Sequence, residues 1–250
     1  MCRRVIVGCL VALMLIGCRP GRSERRPQAA APPAPATTAT PTTTAPANVS
    51  LVARALGSAL EVYADPGQGD LVHVLENPRP SADLNLTAPL VLLVVEERND
   101  WLKVLLPIRP NGSMGWIRRV DVGLESHPFR ILVELGAHRI TVWQGNEIFL
   151  QEPVAVGRSA TATPGGLFYT TELLKPVGQP QYGPYAFALS GFSEVHQSFA
   201  GGPGVLGIHG TNNPSVLGTN VSNGCIRMSN EGITRLAESL PVGVPVEIRS

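Results

Sequence analysis

One thiol stands apart in this 250-residue sequence: Cys225, in the segment VSNGCIRM, lies far from the other three cysteines at the N-terminus. A free thiol has a pKa of about 8.5, so a nearby histidine is needed to accept its proton and activate it. His209 is the best placed of the five histidines, because it ends the apolar run GVLGIHG; His196 stays possible. These residue types predict a cysteine nucleophile with a histidine base, and the alternative for Cys225 is a small buried apolar filler.

Three neighbours complete such a site. Gly210 lets the chain turn so that a backbone carbonyl fixes the tautomer of the His209 ring. Gly224 allows backbone N–H groups around Cys225 to point at a developing oxyanion, where losing one donor typically costs about 3 kcal/mol. Arg227 lies on the Cys225 side of an extended segment, where it binds a substrate carboxylate or lowers the thiol pKa; the alternative is a plain salt bridge.

Other side chains are candidates around this centre. Ser222 is expected to hydrogen-bond within the site loop, or else to decorate the surface. Asn212 is a candidate substrate contact, although loop asparagines usually serve turns. Tyr185, like Tyr182, either walls the cleft or packs in the core. One thiol and one histidine fall short of a closed zinc shell, so we expect no metal and no cofactor.

The elements that position these residues form a second unit, residues 127–250. The segment RILVELGAHRITVWQGNEIFLQEPVAVG alternates apolar and polar residues around glycine turns, which predicts a three-stranded meander. After the cysteine, Ser229 or Asn230 caps a short helix that Pro241 ends, and VPVEIR is a final strand.

A first unit, residues 50–125, is predicted to be all-β. Its turn signals include Asn99-Asp100 and Asn111-Gly112. The predicted strands are Ala59–Tyr63, Leu71–Leu75, Leu90–Val95, Leu102–Leu106 and Gly115–Val120. The pair DWLKV and MGWIRR resembles the last strands of bacterial Src-homology-3-like domains, which implies a small barrel. Trp101 and Trp116 either line a ligand groove or belong to the core.

The N-terminus predicts export. Residues 1–18 have a basic flank and an apolar run too short to span a bilayer, which is typical of a secretory signal. The ending LIGC resembles a bacterial lipobox, which implies a lipid on Cys18 and a protein anchored in the cell envelope, facing the wall or periplasm. An ordinary signal peptide is the alternative. Residues 19–49 are a Pro/Ala/Thr-rich linker that cannot build a core.

Bulk composition narrows the function classes. The net charge of +1 argues against a nucleic-acid binder that relies on neutralising phosphates. Many glycines and prolines with few aromatic residues favour short strands and turns, so the fold class is mainly β with one or two short helices.

The motifs IHGT and SNGCIRMSNEGI, in that order, resemble those of the L,D-transpeptidases of bacterial cell walls. VAVGRSATATPGGLF and LPVGVPVEI are also similar to that family, and the resemblance covers nearly all of residues 129–249. It implies a β-sandwich with Cys225 as nucleophile and His209 as base. Most family members have histidine where this chain has Asn223, which hydrogen-bonds but does not titrate.

The resemblance implies a reaction on peptidoglycan stem peptides. Cys225 forms a thioester, D-alanine leaves, and an amine on a neighbouring stem makes a cross-link between diamino acids; family members are typically acylated by carbapenems. Water as the acceptor would give a carboxypeptidase. A transpeptidase domain that had lost its catalytic activity would give a non-catalytic wall-binding lipoprotein. A papain-like endopeptidase places its cysteine before its histidine, the reverse of this order. We expect a monomer.

Overall fold

The computed structural model describes residues 49–67, 69–82, 86–198 and 202–250. The predicted signal peptide with Cys18, and the predicted linker apart from residue 49, lie outside the described residues. Within the described residues there are two large sheets and a single α-helix, α1 (Asn230–Ser239). The prediction of a mainly β fold is confirmed. None of the helices in this part of the chain is long and apolar enough to cross a membrane.

The first sheet has seven strands in the order β3-β2-β8-β7-β6-β1-β9. Its strands are β1 (Ser50–Ala55), β2 (Ala59–Tyr63), β3 (Leu71–Glu76), β6 (Val91–Arg98), β7 (Trp101–Leu105), β8 (Met114–Arg118) and β9 (Val122–His127). A short ribbon of β4 (Arg79–Pro80) and β5 (Thr87–Ala88) lies between β3 and β6 in the chain. The predicted strands are all present, whereas β1, β9 and the short ribbon were not predicted. The likeness to a Src-homology-3 domain stays a prediction.

Both predicted turns join neighbouring antiparallel strands. Asn99 adopts a φ of 53° in the two-residue turn that pairs Arg98 with Trp101. Gly112 adopts a φ of 82° in the longer connection between β7 and β8. Left-handed backbone favours asparagine and glycine, which is why these dipeptides predicted the hairpins.

The second sheet has eight strands in the order β12-β11-β10-β19-β14-β15-β16-β18. Its strands are β10 (Phe129–Glu134), β11 (Arg139–Gln144), β12 (Glu147–Pro153), β14 (Gly166–Leu174), β15 (Ala186–Phe192), β16 (Val205–His209), β18 (Ile226–Arg227) and β19 (Pro245–Arg249). A separate parallel pair joins β13 (Val156–Gly157) to β17 (Asn220–Ser222). The predicted meander is β10 to β12, and VPVEIR falls in β19.

Strand β14 joins the two arms of this sheet. It pairs with β19 through its first residues and with β15 through its last ones. Buried side chains from both arms and from α1 form one cluster, which includes Ile131, Phe187 and Ile233. The arms therefore enclose a common core, with β16 and β18 at one end.

Helix α1 begins as the sequence predicted. The Ser229 hydroxyl is the N-cap and accepts the Gly232 N–H at 2.8 Å. The Glu152 carboxylate accepts the N–H of Ser229 at 2.8 Å and its hydroxyl at 2.9 Å. This fixes the helix start directly after the segment that carries Cys225.

The two sheets share contacts. Tyr169 of β14 is fully buried within the core of the first sheet. The Glu172 carboxylate accepts the Ala82 N–H at 2.6 Å, and Gly243 lies against the Val52 side chain. A side chain at Gly243 would meet Val52 at 2.6 Å, so the two sheets are in close contact there.

The two tryptophans have different environments. Trp116 is only 4% exposed and carries Arg98 over its ring at 4.8 Å. Trp101 is half-buried, packs edge-on against Tyr63, and lines a surface hollow of about 410 Å³. The core alternative is confirmed for Trp116, whereas a ligand groove at Trp101 stays a prediction.

Candidate active site

Strands β16 and β18 place three polar side chains on one face. They pair in parallel with Ile208 opposite Ile226 and His209 opposite Arg227. Both isoleucines point into the core. Because side chains alternate along a strand, His209, Arg227 and Cys225 lie on the other face, with Cys225 and His209 as diagonal neighbours.

Small residues make room on that face. Ala186 pairs with His209 and Ala188 pairs with Gly207, so on the β15 side nothing larger than a methyl group projects beside the ring. Gly207 lies beside Cys225, and its main-chain N–H hydrogen-bonds the thiol and lowers its pKa. This N–H was not among the groups predicted from sequence.

The His209 ring is held in one orientation. Its Nδ1 lies 2.6 Å from the carbonyl oxygen of Gly210, so Nδ1–H donates and Nε2 is left unprotonated. The residue is 3% exposed, and burial lowers its pKa to about 4. The Gly210 carbonyl opposes this shift and the Arg227 charge adds to it. The imidazole is therefore neutral at neutral pH, as a general base must be.

Cys225 is half-buried and forms no disulfide within the described residues. Burial raises the pKa of its thiol, against the Gly207 N–H and the charge of Arg227, which lower it. Among the hydrogen bonds of the described residues, none joins the His209 ring to the Cys225 sulfur. The resting pair is therefore a neutral thiol and a neutral imidazole.

The turn before Cys225 is closed by Ser222. Its hydroxyl donates to the Cys225 carbonyl at 2.6 Å and accepts the Gly224 N–H at 3.1 Å. Gly224 has a φ of 124°, which disfavours any side chain there. Gly224 therefore shapes the turn, and its own N–H donates to the Ser222 hydroxyl; an oxyanion site formed by the N–H groups around Cys225 stays a prediction.

Two threonines brace this turn from the segment TATPGG. Thr161 donates its hydroxyl to the Ser222 carbonyl at 3.0 Å, and Thr163 donates to the Gly224 carbonyl at 2.8 Å. Thr163 also accepts the Gly157 N–H at 2.8 Å. Sequence reasoning marked this segment as similar to a family motif but did not assign the threonines a task.

Arg227 lies close enough to both His209 and Cys225 to influence their pKa values. Its main chain bonds Ala155 in both directions at 2.8 Å. Its Nε is buried without a hydrogen-bond partner, and no ion pair of the described residues includes it. The salt-bridge alternative is therefore unsupported in this part of the chain, and the guanidinium has a donor to offer a ligand.

Tyr182, which the sequence left undecided, contacts the His209 ring edge-on with centroids 4.8 Å apart. Gly183 lies against Gly210: a side chain at Gly183 would come within 2.7 Å of the Gly210 Cα. Burial raises the pKa of Tyr182, and the charge of a Cys225 thiolate would add to this. Tyr182 thus covers the imidazole.

The remaining candidates are placed less centrally. The Tyr185 ring packs against the core with Lys175 Nζ at 5.4 Å from its centroid. Asn212 is exposed and Asn223 is half-buried beside Gly224. His196 lies in the connection between β15 and β16.

Comparison with known proteins finds relatives of the second unit. Residues 128–248 match the model of the YkuD family, described as the L,D-transpeptidase catalytic domain. The YkuD protein of Bacillus subtilis (strain 168) is 39% identical over 121 residues, which make up 48% of this chain and 66% of that protein. The YkuD protein of Bacillus licheniformis is 37% identical over 121 residues, with the same shares of 48% and 66%. Residues 128–248 are therefore similar to the L,D-transpeptidase catalytic domains of the YkuD family.

Solved structures of L,D-transpeptidases are also similar to the chain. The L,D-transpeptidase from Mycobacterium smegmatis is 17% identical, with a TM-score of 0.40, and the match covers 64% of this chain and 90% of that one. The C442S mutant of the Enterococcus faecium L,D-transpeptidase is 18% identical, with a TM-score of 0.37 and coverage of 48% and 49%.

Proposed function

We propose that this protein is an L,D-transpeptidase that cross-links peptidoglycan stem peptides between diamino acids through a thioester on Cys225. The observation that carries the proposal is the shared face of Cys225, His209 and Arg227 within a domain similar to those of the YkuD family. The donor is a tetrapeptide stem that ends in D-alanine.

In the first half-reaction, Cys225 Sγ attacks the carbonyl carbon before the terminal D-alanine. The thiol proton passes to His209 Nε2, so a sulfur–carbon bond forms and the carbonyl oxygen becomes an oxyanion. The C–N bond then breaks, and D-alanine leaves with the proton from Nε2. Because the resting pair is neutral, proton transfer accompanies the attack, and substrate binding must bring sulfur and Nε2 into range.

In the second half-reaction, a side-chain amine of a neighbouring stem attacks the thioester carbonyl. His209 takes the proton of the amine and returns it to the departing Cys225 sulfur, which leaves an amide cross-link and a free thiol. With water as the acceptor, the same steps release a tripeptide stem with a free carboxyl group.

Arg227 fits a role in holding the donor. Its Nε is a buried donor without a partner, and it lies on the face where the stem peptide must lie. A carboxylate of the stem would satisfy this group and place the scissile carbonyl over Cys225. We therefore expect Arg227→Gln to raise KM for the donor stem by about tenfold or more, equivalent to about 1.4 kcal/mol.

A disaccharide-tetrapeptide tests the proposal. Mass spectrometry should show loss of D-alanine and formation of a cross-linked dimer, and a carbapenem should add its mass to the intact protein. Cys225→Ala should abolish all three signals, and His209→Ala should slow acylation by about 10²-fold or more. A folded wild-type protein that gives neither D-alanine release nor an acyl adduct would overturn the proposal in favour of a non-catalytic wall-binding protein.

The ratio of products separates the two enzymatic alternatives. Tripeptide without dimer, at high acceptor concentration, would make the protein an L,D-carboxypeptidase. Asn223 takes the place of a histidine that most members of the family carry, so an Asn223→His variant tests whether this position changes that ratio.

The proposed substrate lies in the cell wall, so we also propose that the chain is exported and anchored by a lipid on Cys18. The support is the apolar run and the lipobox-like LIGC in residues 1–18. Mass spectrometry of the mature N-terminus should find an acylated Cys18, and Cys18→Ser should release the protein from membranes. An unmodified mature N-terminus elsewhere would favour an ordinary signal peptide.

A further inference from the structure

Arg109, on the connection between β7 and β8 of the first sheet, contacts the end of β15 and the connection from β15 to β16. Its guanidinium donates to the carbonyl oxygens of Ser193 at 2.8 Å, of His196 at 3.1 Å and of Pro203 at 3.1 Å. The same group lies over the Phe192 ring, 4.8 Å from its centroid. Three carbonyl contacts and a stacked ring make this a specific contact, since both terminal nitrogens of the planar guanidinium donate hydrogen bonds.

Asn111, two residues further along the same connection, holds the end of β15. Its amide nitrogen donates to the Phe192 carbonyl at 2.8 Å, and its Oδ1 accepts the Phe192 N–H at 2.9 Å. Both backbone groups of Phe192 are thus bonded by one side chain, as a neighbouring strand would bond them.

The residues bonded by Arg109 and Asn111 lie where β15 ends and β16 begins, and this paired segment is the base of β16. Phe192 pairs with Val205, the first residue of β16, and the Ser193 N–H donates to the Gly204 carbonyl at 2.8 Å. Arg109 bonds both sides of this base, at Ser193 and at Pro203.

Strand β16 carries the active-site groups just beyond that base. Gly207, whose N–H is bonded to the Cys225 thiol, is two residues after Val205, and His209 is four residues after it. Leu206, between Val205 and Gly207, lies against Gly224, whose missing side chain would be 3.4 Å from a Leu206 methyl. A shift of β16 along its axis would therefore move His209, the general base, and the Gly207 N–H relative to Cys225.

We propose that Arg109 and Asn111 are positioning residues of the active site, and that the first sheet sets the register of β16 against β18 through them. The role in turnover rests on the proposed function, whereas the effect on the Cys225 thiol does not. The first sheet is then part of the catalytic scaffold.

The experiment compares Arg109→Ala, Arg109→Lys and Asn111→Ala with wild type in the full chain. Arg98→Ala is the matched control, because Arg98 also stacks 4.8 Å from an aromatic centroid and is ion-paired, but within the first sheet. The first readout is the rate of Cys225 alkylation by iodoacetamide from pH 6 to 10, which needs no wall substrate. The second is kcat and KM with the disaccharide-tetrapeptide.

We expect Arg109→Ala and Asn111→Ala to shift the pH profile of alkylation and to lower kcat at least tenfold with KM within about threefold. Arg109→Lys, which keeps the charge but loses the planar fork, should recover only part of the effect, and Arg98→Ala should leave both readouts unchanged. If Arg109→Ala does not fold, Arg109→Lys and Asn111→Ala decide the question.

Folded variants with a wild-type alkylation profile and kcat, or the same changes in Arg98→Ala, would overturn the positioning role. A shifted alkylation profile in a protein whose wild type releases no D-alanine would support the positioning role and refute the proposed function.

Discussion

The Ser222 hydroxyl and the Cys225 carbonyl are joined by a hydrogen bond of 2.6 Å, and this bond closes the turn that presents the thiol. The same hydroxyl accepts the Gly224 N–H, so one buried oxygen bonds a backbone group of Gly224 and a backbone group of Cys225. A hydroxyl that donates and accepts at once cannot be replaced by a methyl group without leaving two backbone groups unbonded.

We expect Ser222→Ala to destabilise the protein by about 1–3 kcal/mol, because the Gly224 N–H is left buried without a partner. Acylation of Cys225 should slow at least tenfold. Urea unfolding and the rate of carbapenem acylation measure the two effects. Ser215→Ala is the control, since the exposed Ser215 hydroxyl donates to the Asn213 side chain and lies outside the turn. Wild-type acylation by Ser222→Ala would show that the turn does not need this bond.

Thr163→Val tests the brace on the same turn with almost no change in volume. The Gly224 carbonyl and the Gly157 N–H would both lose a partner, so we expect a loss of about 1–3 kcal/mol of stability and slower acylation. Thr234→Val is matched to it, because the Thr234 hydroxyl bonds a carbonyl on the exposed face of α1. Equal losses of stability and acylation rate in the two variants would show that the Thr163 hydrogen bonds do not support the active-site turn.

His209 makes stability depend on pH. Its pKa is about 4 when folded, against about 6.5 when unfolded, so the unfolded chain binds more protons between these values. The stabilisation is complete above pH 6.5 and is lost as pH falls toward 4. We expect wild type to lose about 2–3 kcal/mol between pH 7.5 and 4.5 that His209→Gln does not lose. Urea unfolding at both pH values measures this, and His73→Gln, on an exposed strand, should behave as wild type.

Tyr182 shields the imidazole, and two substitutions separate its ring from its hydroxyl. Tyr182→Phe keeps the edge-on contact and should leave the His209 pKa unchanged. Tyr182→Ala admits water to the ring, so the His209 pKa should rise toward its ordinary value. NMR titration of the His209 ring protons measures the difference. A pKa that stays low in Tyr182→Ala would mean that the sheet alone buries the ring.

The sequence predicted what local patterns encode. The cap at Ser229, the meander of β10 to β12 and the turns at Asn99 and Gly112 depend on neighbouring residues, so they were readable. The order of His209 and Cys225 and their flanking glycines were readable for the same reason. Strands β1 and β9 were not predicted because no hairpin signal marks either of them. Strand β1 lies between β6 and β9, and β9 is at the edge of the sheet.

The supports of the site were not readable. Thr161 and Thr163 reach residues 61 positions away, and Arg109 reaches Ser193 across 84 positions. Each bond goes from a side chain to a backbone carbonyl, which leaves no pattern in the partner's sequence. The choice between Tyr182 and Tyr185 next to the imidazole also depends on how the β14–β15 connection folds back, and composition does not reveal it.

Tyr169 belongs to a strand of the second sheet but packs in the core of the first. Neither half can melt without exposing this ring, so denaturation should be cooperative across residues 50–250. A module that replaced the first 125 residues would have to provide a new apolar pocket for the Tyr169 ring. The two sheets are therefore poor candidates for domain shuffling.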